Sequence, residues 1–77
     1  MGEREVDVRW LQPPEPFERI VAALTTLQRG ERLRVLIHRE PQPLYQMLRN
    51  NGFRYRTEQT PEGLFRIVIR HAGSAPG

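Results

Sequence analysis

The chain has 77 residues, enough for one small domain that buries about 60–65% of its unfolded surface. It has no cysteine, which excludes disulfides, a thiolate nucleophile, a persulfide and cysteine-ligated metal; its basic residues are twelve arginines with no lysine, which excludes a Schiff-base lysine. The formal net charge of +3 permits acidic partners without requiring them, and no apolar run approaches the ~20 residues of a membrane helix or forms a signal-peptide core, so a cytoplasmic protein with no membrane partner is expected.

Residues 1–4 carry no pattern and are expected to be flexible. Glu5 to Arg9 alternates, with Val6 and Val8 on one face and Glu5, Asp7 and Arg9 on the other, which predicts a half-buried strand. Phe17, Ile20, Val21, Leu24 and Leu27 then recur at helical spacing. Pro14 suits the first helical position, where its missing N–H would be unpaired anyway, and Gly30 is expected to end the helix as a left-handed cap. A second strand is predicted through Leu33, Val35 and Ile37, and a second helix through Leu44, Met47 and Leu48, stopping at Asn51-Gly52. Phe53, Tyr55 and Thr57 form one side of a third strand; Thr60-Pro61-Glu62-Gly63 has turn chemistry, and Phe65, Ile67 and Ile69 line a fourth strand. Residues 72–77 offer nothing to bury and are expected to form a flexible tail, leaving one domain over residues 5–71.

The order β-α-β-α-β-β predicts an α+β two-layer sandwich, a four-stranded mixed sheet with both helices on one face and the other face open. The predicted core is Val6, Val8, Phe17, Ile20, Val21, Leu24, Leu33, Val35, Ile37, Leu44, Leu48, Phe53, Tyr55, Phe65, Ile67 and Ile69. Pro14-Glu15-Pro16-Phe17 and Pro41-Gln42-Pro43-Leu44 echo one another, each following a strand and opening a helix. Both helix starts therefore lie at the carboxyl ends of strands one and two, the edge where open α/β sheets gather ligands.

Asp7-Val8-Arg9-Trp10-Leu11, the Pro-x-Pro helix start and Arg29-Gly30-Glu31 before strand two resemble the TusA/SirA-like sulfur-carrier superfamily over roughly residues 5–70. The stretch His38-Arg39-Glu40-Pro41-Gln42-Pro43-Leu44-Tyr45 is similar to the signature of that superfamily's cysteine-free branch, a bacterial family of unknown function. The resemblance implies a TusA-like fold, similar also to the C-terminal domain of bacterial translation initiation factor three. Association of some members of that branch with haemerythrin-like domains implies a partner in a redox or sulfur/nitrogen setting. The carriers' working cysteine falls at Pro13, and Trp10 stands where the resemblance expects glycine. Pro14 and Pro16 retain the role of shaping the first helical turn, but the sulfur-accepting role passes to no residue.

The predicted sheet edge holds Trp10, Gln12, Glu15, His38, Arg39 and Glu40. Proline removes N–H donors at both helix starts and Glu15, Glu18 and Glu40 add negative charge, which disfavours an anion there. Trp10 is either a surface anchor for a partner protein or, by strand parity with Val6 and Val8, a cap on the core. His38, Glu40 and a distant His71 are too few for a metal site, and no nucleophile with an orienting partner is recognisable, so neither enzyme activity nor a cofactor is expected. On the open sheet face, Arg9, Arg32, Arg34, Arg54, Arg56, Arg66 and Arg70 outnumber Glu5, Asp7 and Glu58. The sequence therefore points to a non-catalytic binding module that meets another protein at the Trp10 edge. The alternative is nucleic-acid binding on the arginine face, which lacks the interleaved aromatics of single-strand binders.

Overall fold

The structure, a computed structural model, describes residues 2–73. Six elements follow in the predicted order: β1 (Gly2–Asp7), α1 (Glu15–Thr25), β2 (Glu31–Ile37), α2 (Gln42–Asn50), β3 (Phe53–Gln59) and β4 (Phe65–His71). The sheet runs β1-β2-β4-β3, with β1 parallel to β2, and β4 antiparallel to both β2 and β3. β2 and β3 consequently run the same way, so each helix is a crossover between parallel strands and each begins at the same edge of the sheet. Ile20 and Leu24 from α1 and Leu44, Tyr45 and Leu48 from α2 join Leu33, Val35, Ile37, Ile67 and Ile69 in one core on one sheet face.

Strand β1 starts three residues earlier than its alternation suggests, because Gly2, Glu3 and Arg4 already pair with Glu31, Arg32 and Leu33. The segment expected to be flexible thus contributes half of an edge strand; Met1 lies outside the described residues. At the other end, Ala72 donates its N–H to the Gly52 carbonyl at 2.7 Å and extends the ladder past β4, and the rest of the expected tail, 74–77, also lies outside the described residues.

Gly30 is not the cap of α1. The helix stops at Thr25, where the hydroxyls of Thr25 and Thr26 donate to the carbonyls of Ala22 and Ala23 and satisfy groups a glycine cap would otherwise serve. Leu27 then turns into the core, and Gly30 (φ 91°) closes a turn in which the Glu31 N–H reaches the Gln28 carbonyl. Asn51 ends α2 as its spacing predicts, with Nδ2 donating to the Met47 carbonyl at 2.8 Å. The β3–β4 hairpin turns through Pro61, Glu62 and Gly63 (φ 88°), with Thr60 bonded to Leu64 through both backbone and side chain.

Two predicted core residues are displaced. Phe17 is 40% exposed because the first turn of α1 stands over the gap between the two helix starts, where α2 does not cover it. Val21 is only half-buried, beside the fully covered Ile20. Their place is taken by Leu27 and by Tyr45, neither of which is in the predicted core, and the Tyr45 hydroxyl needs a partner once buried. Burial supplies that partner: Tyr45 donates to Glu40 Oε2 at 3.1 Å and lies 2.7 Å from Thr57 Oγ. Since the phenol has one proton, Thr57 is the donor in the second bond.

Candidate functional site

Strand β1 ends at Asp7, and the chain then folds into a tight turn built by that residue's carboxylate. Asp7 accepts from the Arg9 backbone N–H at 3.1 Å and from its guanidinium at 2.9 and 2.7 Å, which holds the carboxyl below its ordinary range. Arg9 therefore sits beyond the strand, clamped to Asp7, and does not join the row of arginines on the sheet.

Trp10 occupies the third position of the turn that the Leu11 N–H closes on the Val8 carbonyl, with φ at 66°. This left-handed conformation suits glycine and costs a tryptophan about 1–2 kcal/mol. It breaks the strand alternation that would have carried Trp10 to the core side, and its side chain is 70% exposed. Contacts across the edge hold it there. The Trp10 N–H donates to His38 Nδ1 at 3.0 Å, and the two rings stack with centroids 5.1 Å apart. With Nδ1 accepting, the neutral His38 ring carries its proton on Nε2.

The other predicted edge residues are dispersed. Glu15 pairs along α1 with Arg19 at 2.9 Å, Gln12 is exposed with its carbonyl accepting the Glu15 N–H, and Arg39 is exposed. Glu40 turns toward Tyr45. Behind that bond the Tyr45 and Tyr55 rings stack with centroids 4.5 Å apart and planes almost parallel, and Arg49 donates to the Tyr55 hydroxyl at 2.7 Å. Glu40 thus ties the β2–α2 loop to Tyr45 of α2, whose hydroxyl in turn meets Thr57 on β3. Among the described residues no three His, Cys, Asp or Glu side chains gather as metal ligands, and His71 lies against Leu27 and Phe53 rather than near His38.

The sequence-based list omitted an apolar groove of about 150 Å³ between the helix starts. Both proline pairs line it, with Pro13, Pro14 and Pro16 on one side and Pro41 and Pro43 on the other, over a floor including Phe17, Ile20 and Leu44. The recurrence of Pro-x-Pro before an apolar residue was the available signal. Prolines at a helix start have no N–H to turn toward water, so two such starts side by side make a surface short of polar groups.

The open sheet face is electrostatically divided. Glu3 pairs with Arg34 at 2.9 Å and Arg32 at 3.8 Å, and Glu58 pairs with Arg66 at 3.2 Å. Arg54, Arg56 and Arg70 have no such partner among the described residues, and Arg54 stands directly opposite Arg70 on adjacent strands. Like charges in that position destabilise a sheet. Arg70→Glu is accordingly expected to raise the melting temperature by about 1–6 °C in a thermal scan at low salt, and no gain would show that the guanidiniums evade one another.

Burial pushes the Tyr45 hydroxyl above its ordinary range, with Glu40 acting in the same direction and Thr57 opposing it. The folded-state value is the higher one, so this group's stabilisation is complete below the unfolded tyrosine value of about 10 and is lost as pH rises through the folded value. The chain has no lysine or cysteine to titrate there. Urea unfolding between pH 8 and 12 should show a stability loss above about pH 10 that Tyr45→Phe reduces. An identical decline in the variant would contradict this role.

These elements define a class. The fold is that of SirA-like proteins: the crystal structure of a SirA-like protein from Desulfitobacterium hafniense superimposes with a TM-score of 0.73 at 22% identity, covering 90% of this chain and 95% of that one. A family model matches residues 5–71, and the chain belongs to that family, described as uncharacterized conserved protein (DUF2249). Comparison with curated proteins gives no match. No helix among the described residues is long and apolar enough to cross a membrane.

Proposed function

We propose that this chain is a non-catalytic protein-interaction module that acts in the cytoplasm and meets its partner at the carboxyl edge of β1 and β2. The observation that carries this reading is Trp10, held 70% exposed at a left-handed position by His38, at the edge that also holds a proline-lined apolar groove. An exposed tryptophan fixed by backbone and ring contacts loses little entropy on docking, which suits an interface anchor. Pro13, the position that the resemblance assigns to the carriers' cysteine, lines the same groove, so apolar contact is what that position offers here. Capture from lysate of the source cell, with and without nuclease, tests the reading. A protein retained after nuclease treatment and lost with Trp10→Ala supports it; retention indifferent to Trp10→Ala overturns it.

Arg54, Arg56 and Arg70, which have no salt-bridge partner among the described residues, favour a second reading, in which the open sheet face tracks a nucleic-acid backbone. It predicts binding that weakens steeply with salt and survives Trp10→Ala. Absence of DNA and RNA binding at low salt would dismiss it.

A further inference from the structure

We propose that Arg54, Arg56 and Arg70 form a site for a ligand carrying two or more adjacent phosphate groups, confined to the β3–β4 half of the open face. The proposal rests on the electrostatic division of that face and deepens the second reading by naming the site and the ligand chemistry. The twisted sheet holds an open depression of about 710 Å³ lined by Arg32, Arg54, Arg56, Arg70, Tyr55 and Val68, with Gly30 and Glu31 completing the lining. Of the nearby carboxylates, Glu3 is paired with Arg32 and Arg34, Asp7 with Arg9 and Glu58 with Arg66; Glu31 accepts from the Gln28 N–H and lies 3.9 Å from Arg4, and Glu5 stands on β1, two strands from β4. Three permanently charged forks line the depression without a salt-bridge partner among the described residues, two of them directly opposed across the ladder.

Compact charge is what relieves such a cluster. Acidic side chains on one face of an extended peptide recur only every ~6.8 Å and bring one charge each. Each phosphate group brings about −1 to −2 and several acceptor oxygens suited to bidentate arginine contact. The lining offers a peptide little apolar purchase beyond Val68. It also offers no stacking surface for a base, because the Tyr55 ring is committed to Tyr45 on the helix side. Recognition is therefore of phosphate alone, and binding offsets the Arg54–Arg70 repulsion, so the ligand stabilises the fold.

The test is calorimetric titration of the full chain at low salt with tripolyphosphate, with citrate as a carboxylate anion, and with a short oligothymidylate. Tripolyphosphate is expected to bind at least tenfold more tightly than citrate and to raise the melting temperature. Arg54→Ala and Arg70→Ala should each weaken it about tenfold, and both variants should fold because they remove a repulsion. Arg34→Ala, on the same face but paired with Glu3, should change it by less than about threefold. Failure of tripolyphosphate to bind at millimolar concentration, equal binding of citrate, or an equal loss in Arg34→Ala would overturn the proposal. The oligothymidylate identifies the source: tighter binding than tripolyphosphate, with a log–log salt slope of about −2 for three neutralised phosphates, indicates a nucleic-acid backbone. Weaker binding indicates a free oligophosphate, which sustains the site and removes the second reading. Oligothymidylate that binds Arg54→Ala and Arg70→Ala as well as the parent would overturn this site while leaving nucleic-acid binding intact.

Discussion

Trp10→Ala is expected to weaken partner binding about 30-fold or more, with circular dichroism and the unfolding midpoint nearly unchanged. The side chain is 70% exposed, and its main contact within the chain is a stack on His38, so truncation opens no cavity in the core. Its backbone lies at φ 66°, a conformation alanine tolerates no better than tryptophan and glycine tolerates freely. Trp10→Gly should therefore lose binding equally while matching or exceeding the parent in stability, by up to about 1 kcal/mol. The pair of variants separates anchor from scaffold. If both bind normally, Trp10 contributes no anchor and the edge reading fails; if both unfold, the tryptophan was needed for the fold.

Leu48→Ala should reduce stability by about 2–5 kcal/mol, because Leu48 is wholly inaccessible and packs in the single core beneath α2. A domain of this size has roughly 4–12 kcal/mol in total, so the loss translates into a fall of about 10–30 °C in the midpoint, enough to unfold much of the population at 37 °C. α2 spans only Gln42–Asn50, so little else can redistribute to fill the space. Leu48→Met, which keeps the volume, should cost less than about 1.5 kcal/mol. A midpoint shift below about 5 °C in Leu48→Ala would mean that the helix can settle into the vacancy.

The strands and helices were legible because each has one apolar face at its own period: Leu33, Val35 and Ile37 alternate, and Ile20 and Leu24 lie one turn apart. The Asn51-Gly52 stop and the Thr60–Gly63 turn were legible for a different reason, since their chemistry is local. Gly30 shows the limit of local inference. A glycine after an apolar stripe suits a helix cap and a tight turn equally, and two threonine hydroxyls decided the matter by ending α1 first. The early start of β1 was invisible for a related reason: Gly2, Glu3 and Arg4 have no apolar alternation, and the ladder with Glu31–Leu33 is what orders them.

The candidate site was half legible. The sequence placed Trp10 and His38 at one edge, but strand parity left Trp10 between core and surface. The turn at Asp7 resolved that, because a carboxylate capturing the Arg9 N–H ends the strand three residues before Trp10. The basic face was read as a single row of arginines. Which of them are neutralised depends on partners far apart in sequence, such as Glu3 with Arg34, and pairings of that kind carry no local pattern.

By itself, the sequence determined the β-α-β-α-β-β order, the apolar faces that meet as the core, and the loss of thiol chemistry, because periodicity and composition act residue by residue. Only the tertiary structure decided that Trp10 faces out against His38, that two proline-rich helix starts close an apolar groove, and that Arg54, Arg56 and Arg70 have no carboxylate partner among the described residues. Each of those depends on which strands lie side by side, and strand neighbours are set by the packing of the whole chain.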